Sequence, residues 1–188
     1  MQNAETNESK KLATLLELSQ ALSGTLNLKH SLHRALEILE QRHGMLRSVV
    51  TLLNNDSELY IEASSGITAD GQRARYKLGE GITGRVVESG KPVIVPQVSH
   101  EPMLLNRAAQ RKGLKDELTF ICVPIVVGRK TVGALGVDLL FKKDRDYDRL
   151  VKFLRVITGM MGQAVRVERL VEAETQRLVA ENIHLREE

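Results

Sequence analysis

The sequence predicts an α+β fold, with a central antiparallel β-sheet of about six strands, helices on both of its faces and a helix at each end of the chain. Three observations predict it. Leucines recur at helical spacing over about residues 8–44, two β-hairpins lie within about residues 45–141, and a proline-free heptad pattern runs from near Tyr147 onward. A chain of 188 residues is the size of one domain with helical extensions.

The elements follow in order. Leu12, Leu15, Leu16, Leu22 and Leu26 form an apolar stripe that predicts a first helix, with Gly24 as its stop. Asn27 is placed to cap a second helix carrying Leu28, Leu32, Ala35, Leu36 and Leu39 and ending near Gly44. Arg47 to Leu53 is rich in β-branched and aliphatic residues, Asn54-Asn55-Asp56 is turn chemistry, and Leu59 to Ala63 alternates, which together predict a hairpin. Ala74 to Leu78 predicts a further strand, followed by a glycine-rich turn, a short helix from about Ile82 to Ser89, and a strand at Val93-Ile94-Val95. Phe120 to Val127 and Thr131 to Leu140 flank Gly128-Arg129-Lys130 as a second hairpin; Pro124 argues for an edge position or a bulge. Strand order is not legible from this pattern.

Stepping by seven from Leu150 gives Ile157, Ala164, Val171, Leu178 and Leu185, all apolar; the companion positions are Leu154, Met161, Glu168, Thr175 and Asn182. Packing on the chain's own sheet suits Leu150 to Met161. Past Ala164 a single small domain has little left to cover the stripe, so the pattern predicts a coiled-coil seam between two copies. The expected homodimer interface comprises Leu15 and Leu22 of the first helix with Leu154, Ile157, Met161, Ala164, Val171 and Leu178. The expected division is a dimerisation helix over 1–26, a central α+β domain over 27–164 and a helical linker over 165–188 that leads to a further domain.

Composition excludes several classes of function. Aromatics are 3% with no Trp, which leaves an aliphatic core and little capacity for stacking on bases. The single Cys122 cannot form an intrachain disulfide or a multi-thiolate zinc site. No apolar run reaches the roughly 20 residues of a membrane span, and the polar start does not resemble a secretory signal, so a cytoplasmic location is expected. The histidines His30, His33, His43, His100 and His184 read as solvated, Cys122 as a small buried hydrophobe, and no Ser, His and Asp set has a nucleophile context. No catalysis and no cofactor are expected.

Gly79-Glu80-Gly81-Ile82-Thr83-Gly84 matches the dinucleotide-binding spacing, but the polar Ala74 to Leu78 precedes it and no acid ends a following strand, so a tight turn into a short helix is expected. The free N–H groups of that turn are placed to receive an anion. Charge is uneven: residues 1–90 sum to −1, 91–150 to +4 and 151–188 to zero, within a net +3. The surplus lies in Arg107, Arg111, Lys112 and Lys115 and again in Lys142, Lys143, Arg145 and Arg149. A small anion, a partner protein and a plain solvated surface all account for it; nucleic acid is also an option, but no DNA-reading motif accompanies the charge.

The turn with Arg85 to Val95 after it, the hairpin Cys122-Val123-Pro124-Ile125 to Gly133-Ala134-Leu135-Gly136-Val137, and Asp146-Tyr147-Asp148-Arg149-Leu150 entering a long helix resemble the GAF domain family over about residues 12–168. Within it, Tyr76 to Gly84, Glu101-Pro102-Met103-Leu104-Leu105-Asn106-Arg107 and Phe120 to Ile125 are similar to the amino-terminal regulatory domains of NifA-type, sigma-54-dependent activators of nitrogen fixation. The resemblance implies a GAF-like sheet and a non-catalytic sensory module that controls a downstream AAA+ ATPase. It also implies a small anionic ligand such as 2-oxoglutarate and an inhibitory partner protein, with DNA contact left to another domain. The expected ligand residues are Gly81, Thr83, Arg107, Arg111 and Thr119. The Asn-Lys-Xaa-Asp-Glu signature of cyclic-nucleotide-binding members is absent, as are the cysteines of bilin-binding members and of the methionine sulfoxide reductases. A GAF domain of a sensor kinase or cyclic-nucleotide signalling protein, and a ligand-free dimerisation module, remain the alternatives.

Overall fold

The computed structural model describes residues 2–24, 27–102 and 115–187. Its elements are α1 (Gln2–Ser23), α2 (Leu28–His43), β1 (Arg47–Leu53), β2 (Glu58–Ser65), α3 (Ala69–Gln72), β3 (Arg75–Lys77), α4 (Gly81–Ser89), β4 (Val93–Val95), a 3-10 turn (Val98–His100), β5 (Leu118–Val127), β6 (Lys130–Leu140) and α5 (Tyr147–Glu187). The strands form one sheet in the order β3-β2-β1-β6-β5-β4, and every pairing is antiparallel.

Local chemistry sets the boundaries. The Asn27 side chain accepts from the His30 N–H at 3.0 Å, and Gly44 ends α2 in the left-handed region at φ 64°. Asp146 caps α5 by accepting from the Arg149 N–H at 3.0 Å. The first helix begins at Gln2, earlier than the leucine stripe indicates. Pro124 meets both expectations placed on it: β4 covers β5 only at Phe120, Ile121 and Cys122, and the β5–β6 register shifts one residue later, between Ile125 and Val126.

Two apolar layers sandwich the sheet. On one face α1, α2 and α5 bury Leu18, Leu22, Leu32, Leu36, Leu39, Leu154, Ile157 and Met161 against Val50, Leu52, Ile121, Val123, Leu135 and Val137. On the other, α4 brings Ile82, Val86 and Val87 against Leu59, Tyr76, Val95, Phe120, Cys122 and Ala134. Helices therefore occupy both faces, as the sequence predicts.

The seam residues divide along α5. Leu154, Ile157 and Met161 are fully buried in the chain's own core, Ala164 is half-buried, and Val171 and Leu178 are 46% and 49% exposed. On α1, Leu22 is buried and Leu15 half-buried, while Leu12 and Leu16 are 70% and 64% exposed. All side chains from 169 to 186 are exposed.

His43 departs from the solvated histidine the sequence suggests. Its ring lies 5.0 Å from that of Phe153, and its Nε2 is 2.8 Å from the Thr14 hydroxyl. Thr14 donates to the Lys10 carbonyl at 2.9 Å, which leaves its oxygen to accept from a His43 Nε2–H and so joins α1 to the end of α2. Burial, and then the charges of Lys10, Lys11 and Arg42, lower the His43 pKa to about 4.

Two predictions follow from this packing. A Cβ at Gly162 would meet the Val126 carbonyl oxygen at 2.6 Å, whereas one at Gly159 would meet nothing within 4 Å. Gly162→Ala is expected to lose about 1–3 kcal/mol by overpacking, and Gly159→Ala to gain about 0.5–1 kcal/mol from helix propensity. Urea unfolding of the two variants should show opposite signs. His43 binds its proton more weakly when folded, so its contribution is complete above pH 6.5 and is lost as pH falls through about 4. Wild-type stability should fall more steeply over that range than that of His43→Gln; parallel curves would remove His43 as the cause.

Candidate functional site

The candidate site is the sheet face beneath α4. Apolar residues make most of it, and one ion pair lies among them in the described residues. Asp138 is fully buried in β6, directly opposite Arg47 of β1 in the strand register. Strand alternation turns both toward the face that carries Phe120, Cys122 and Ala134. Arg47 Nη1 lies 3.7 Å from Asp138 Oδ2, with the arginine side chain 20% exposed. That separation is an ion pair and not a hydrogen bond, and Nη1 is buried with no hydrogen-bond acceptor among the described residues. A buried guanidinium N–H without an acceptor costs free energy that an incoming oxygen would recover.

The glycine-rich turn is a structural corner. Gly79 and Gly81 take φ of 76° and 61°, and a Cβ at Gly84 would meet the Lys77 carbonyl oxygen at 2.5 Å. The Glu80 carboxylate accepts from the Lys77 N–H at 2.8 Å and so braces the turn. Glu117 fixes the approach to β5 by accepting from the Ser99 backbone N–H and hydroxyl, and these bonds hold its carboxyl below the usual range.

The expected ligand residues fall into three groups. Gly81 and Thr83 stand at the start of α4, each half-buried. Arg107 and Arg111 lie outside the described residues. Thr119 alternates with Phe120 and Cys122, so it faces the helices α1 and α5 and not α4, and its hydroxyl donates to the Pro96 carbonyl at 2.8 Å. Sequence reasoning passed over Arg47 and Asp138. The available signal was a carboxylate inside the apolar run from Gly133 to Leu139, which a strand buries only with a partner. Cys122 is fully buried, and among the described residues no group of three His, Cys, Asp or Glu is placed to hold a metal. No helix is long and apolar enough to cross a membrane among the residues described.

The pair makes a stability prediction. Arg47→Met should cost about 3 kcal/mol, the low end for an uncompensated buried charge. The double variant Arg47→Met with Asp138→Leu should recover most of that loss in chemical unfolding. Additive losses would show that the two side chains are not energetically coupled.

Residues 25–166 match the family model described as "GAF domain". The chain is 32% identical over 177 residues to a Nif-specific regulatory protein of Herbaspirillum seropedicae, covering 93% of this chain and 33% of that protein. It is 33% identical over 179 residues to the nitrogen fixation protein VnfA of Azotobacter vinelandii, covering 93% of this chain and 34% of that protein. The chain thus spans about a third of the length of these curated relatives. Among solved structures, the nlh2 GAF domain of A. aeolicus in an inactive state superposes with a TM-score of 0.78 at 24% identity, covering 85% of this chain and 98% of that one. Free methionine-R-sulfoxide reductase of Neisseria meningitidis, solved with its substrate, gives 0.72 at 17% identity, covering 86% and 91%. These two likenesses concern the fold.

Proposed function

The chain belongs to the GAF domain family, and from that premise we propose that it is the non-catalytic sensory domain of a NifA-like, sigma-54-dependent transcriptional activator. The observation that carries the reading is that one strand pair supports a different helix on each of its faces. On one side β5 and β6 carry α4 and the Arg47–Asp138 pair; on the other they carry α5, whose far half extends from the body. The names of the relatives, a Nif-specific regulatory protein and the nitrogen fixation protein VnfA, support the same assignment.

In this reading a small anion such as 2-oxoglutarate binds between the sheet and the segment from Gly81 to Thr119, with Arg107 and Arg111 supplying cationic contacts and the Nη1 of Arg47 a further donor. Binding shifts the packing of the sheet on α1 and α5. The exposed α5 stripe with Val171 and Leu178 pairs with a second copy, and the paired helices bias a downstream AAA+ ATPase as a two-state element. An inhibitory partner protein would act on the same balance. DNA contact belongs to another part of the activator, and the module works in the cytoplasm.

Calorimetric titration with 2-oxoglutarate tests the ligand. Heat is expected with the wild-type chain, with affinity at least tenfold weaker in Arg107→Ala and in Arg111→Ala. No heat with this or related dicarboxylates would leave the ligand-free dimerisation module as the better reading. Light scattering tests the seam: the chain should have dimeric mass, and removal of residues 166–188 should halve the mass per particle beyond the loss of those residues. A monomer of unchanged association state would refute the seam.

A further inference from the structure

A cavity of about 460 Å³ opens at the edge of the sheet, between the start of α2 and the second half of β2. It exists because β3 is short. β3 pairs with β2 at Glu58, Leu59 and Tyr60, and the β2 edge beyond them has no strand against it among the described residues. A bulge falls on the same stretch: Ala63 and Ile61 lie opposite Val50 and Thr51, which leaves Glu62 as the extra residue. The volume lies within the range of small-molecule sites. None of the residues lining the cavity belongs to the expected seam or to the site beneath α4.

Two charges of opposite sign line the cavity, Lys29 from α2 and Glu62 from the bulge, and neither has an ion-pair partner among the described residues. The two ends therefore differ in sign. At the α2 end His30 and His33 share a helix face with Lys29, and the first turn of a helix favours an anion. His33 Nδ1–H donates to the Ser64 carbonyl at 3.0 Å and so ties this wall to the sheet. At the bulge end, burial and then Glu62 and Glu172 push the Glu168 carboxyl up, which marks this end as negative. A third group is Ser64, 7% exposed, whose hydroxyl makes no hydrogen bond among the described residues. The hydroxyl oxygens of Ser31 and Ser48 are sealed from contact; that of Ser64 is not. An incoming polar atom would satisfy it. A small anion is opposed by Glu62, a small cation by Lys29, and an apolar guest leaves both charges unpaired. A guest that carries both signs matches both ends.

We propose that this edge cavity binds a zwitterionic α-amino acid with a polar side chain, its carboxylate at Lys29 and His30, its ammonium at Glu62 and its side chain at Ser64 and Gln72. The site goes beyond the anion reading above and stands independently of it, since it is built from other elements. A guest here joins α2 to β2, and α2 also packs against α1, so occupancy bears on the helical layer that carries α5.

The test titrates the full chain calorimetrically with L-glutamine, chosen for its polar side chain, and with two analogues that each lack one charge. N-acetyl-L-glutamine lacks the ammonium and L-glutaminamide lacks the carboxylate. L-Glutamine should bind, and each analogue at least about tenfold more weakly. Glu62→Gln should weaken L-glutamine by about tenfold without weakening N-acetyl-L-glutamine, and Lys29→Met should do the same without weakening L-glutaminamide. Ser64→Ala should weaken all three alike, by about fivefold. Lys29 is exposed, so its variant carries the test if Glu62→Gln disturbs the bulge. No heat with L-glutamine, either analogue binding as tightly as L-glutamine, or an equal loss for all three ligands in both charge variants would each overturn the proposal.

Discussion

The structure depends on one constraint: strands β5 and β6 are apolar on both sides. Residues 118–125 of β5 and 132–139 of β6 are buried without interruption. A strand pair of this kind cannot leave either face to water, because burial of each large aliphatic side chain contributes about 1.5–3 kcal/mol. The chain meets the requirement with segments from opposite ends of its length. On one face α5 and α2 lie on the sheet with α1 packed across them, and α4 lies on the other face. The close approach of Gly162 to the Val126 carbonyl is a consequence, since a helix laid directly on a sheet tolerates a hydrogen where a methyl would not fit. Asp138 is the exception within the apolar run, and its pairing with Arg47 is what allows the strand to remain continuous through a charge.

The same requirement explains where α5 stops being a core helix. Leu154, Ile157, Met161 and Val165 exhaust the sheet surface available to it, and the helix then continues for a further 22 residues to Glu187. At 1.5 Å per residue the whole element is about 60 Å long. Its far half holds Arg177 between Glu174 and Glu181, at 2.7 and 3.3 Å, but such exposed pairs are screened by water and add little. Helix propensity and these pairs are marginal support for a segment exposed on every side. Valines and leucines at 46–61% exposure between Val167 and Leu178 therefore favour a covering partner, and the proposed second copy is the simplest one.

Much of the fold was legible because it rests on periodicity and capping, which are local. The caps at Asn27 and Gly44, the hairpin turns, the short α4 and the bulge near Pro124 are each written in a few adjacent residues. The heptad on α5 was legible too, but one repeat hides two environments. Leu154 and Ile157 continue into Val171 and Leu178 without a change in spacing, while the structure buries the first pair in the chain and exposes the second. Arg47 and Asp138 were not legible as a pair, because 90 residues separate them and only the β1–β6 register places them opposite each other. Thr119 is the converse case. Its neighbours in sequence face α4, and a single step along a strand of period two sends it to the other side. His43 illustrates a third case: a helix-end histidine is ordinarily wet, and here the return of α1 across it removes the water.

The proposed ligand site beneath α4 and the output helix α5 lie on opposite faces of the sheet. A ligand beneath α4 reaches α5 only through β5 and β6, so its effect depends on how stiffly those strands transmit a displacement. Close packing on both faces favours transmission, because a filled interior has few voids in which a shift can dissipate.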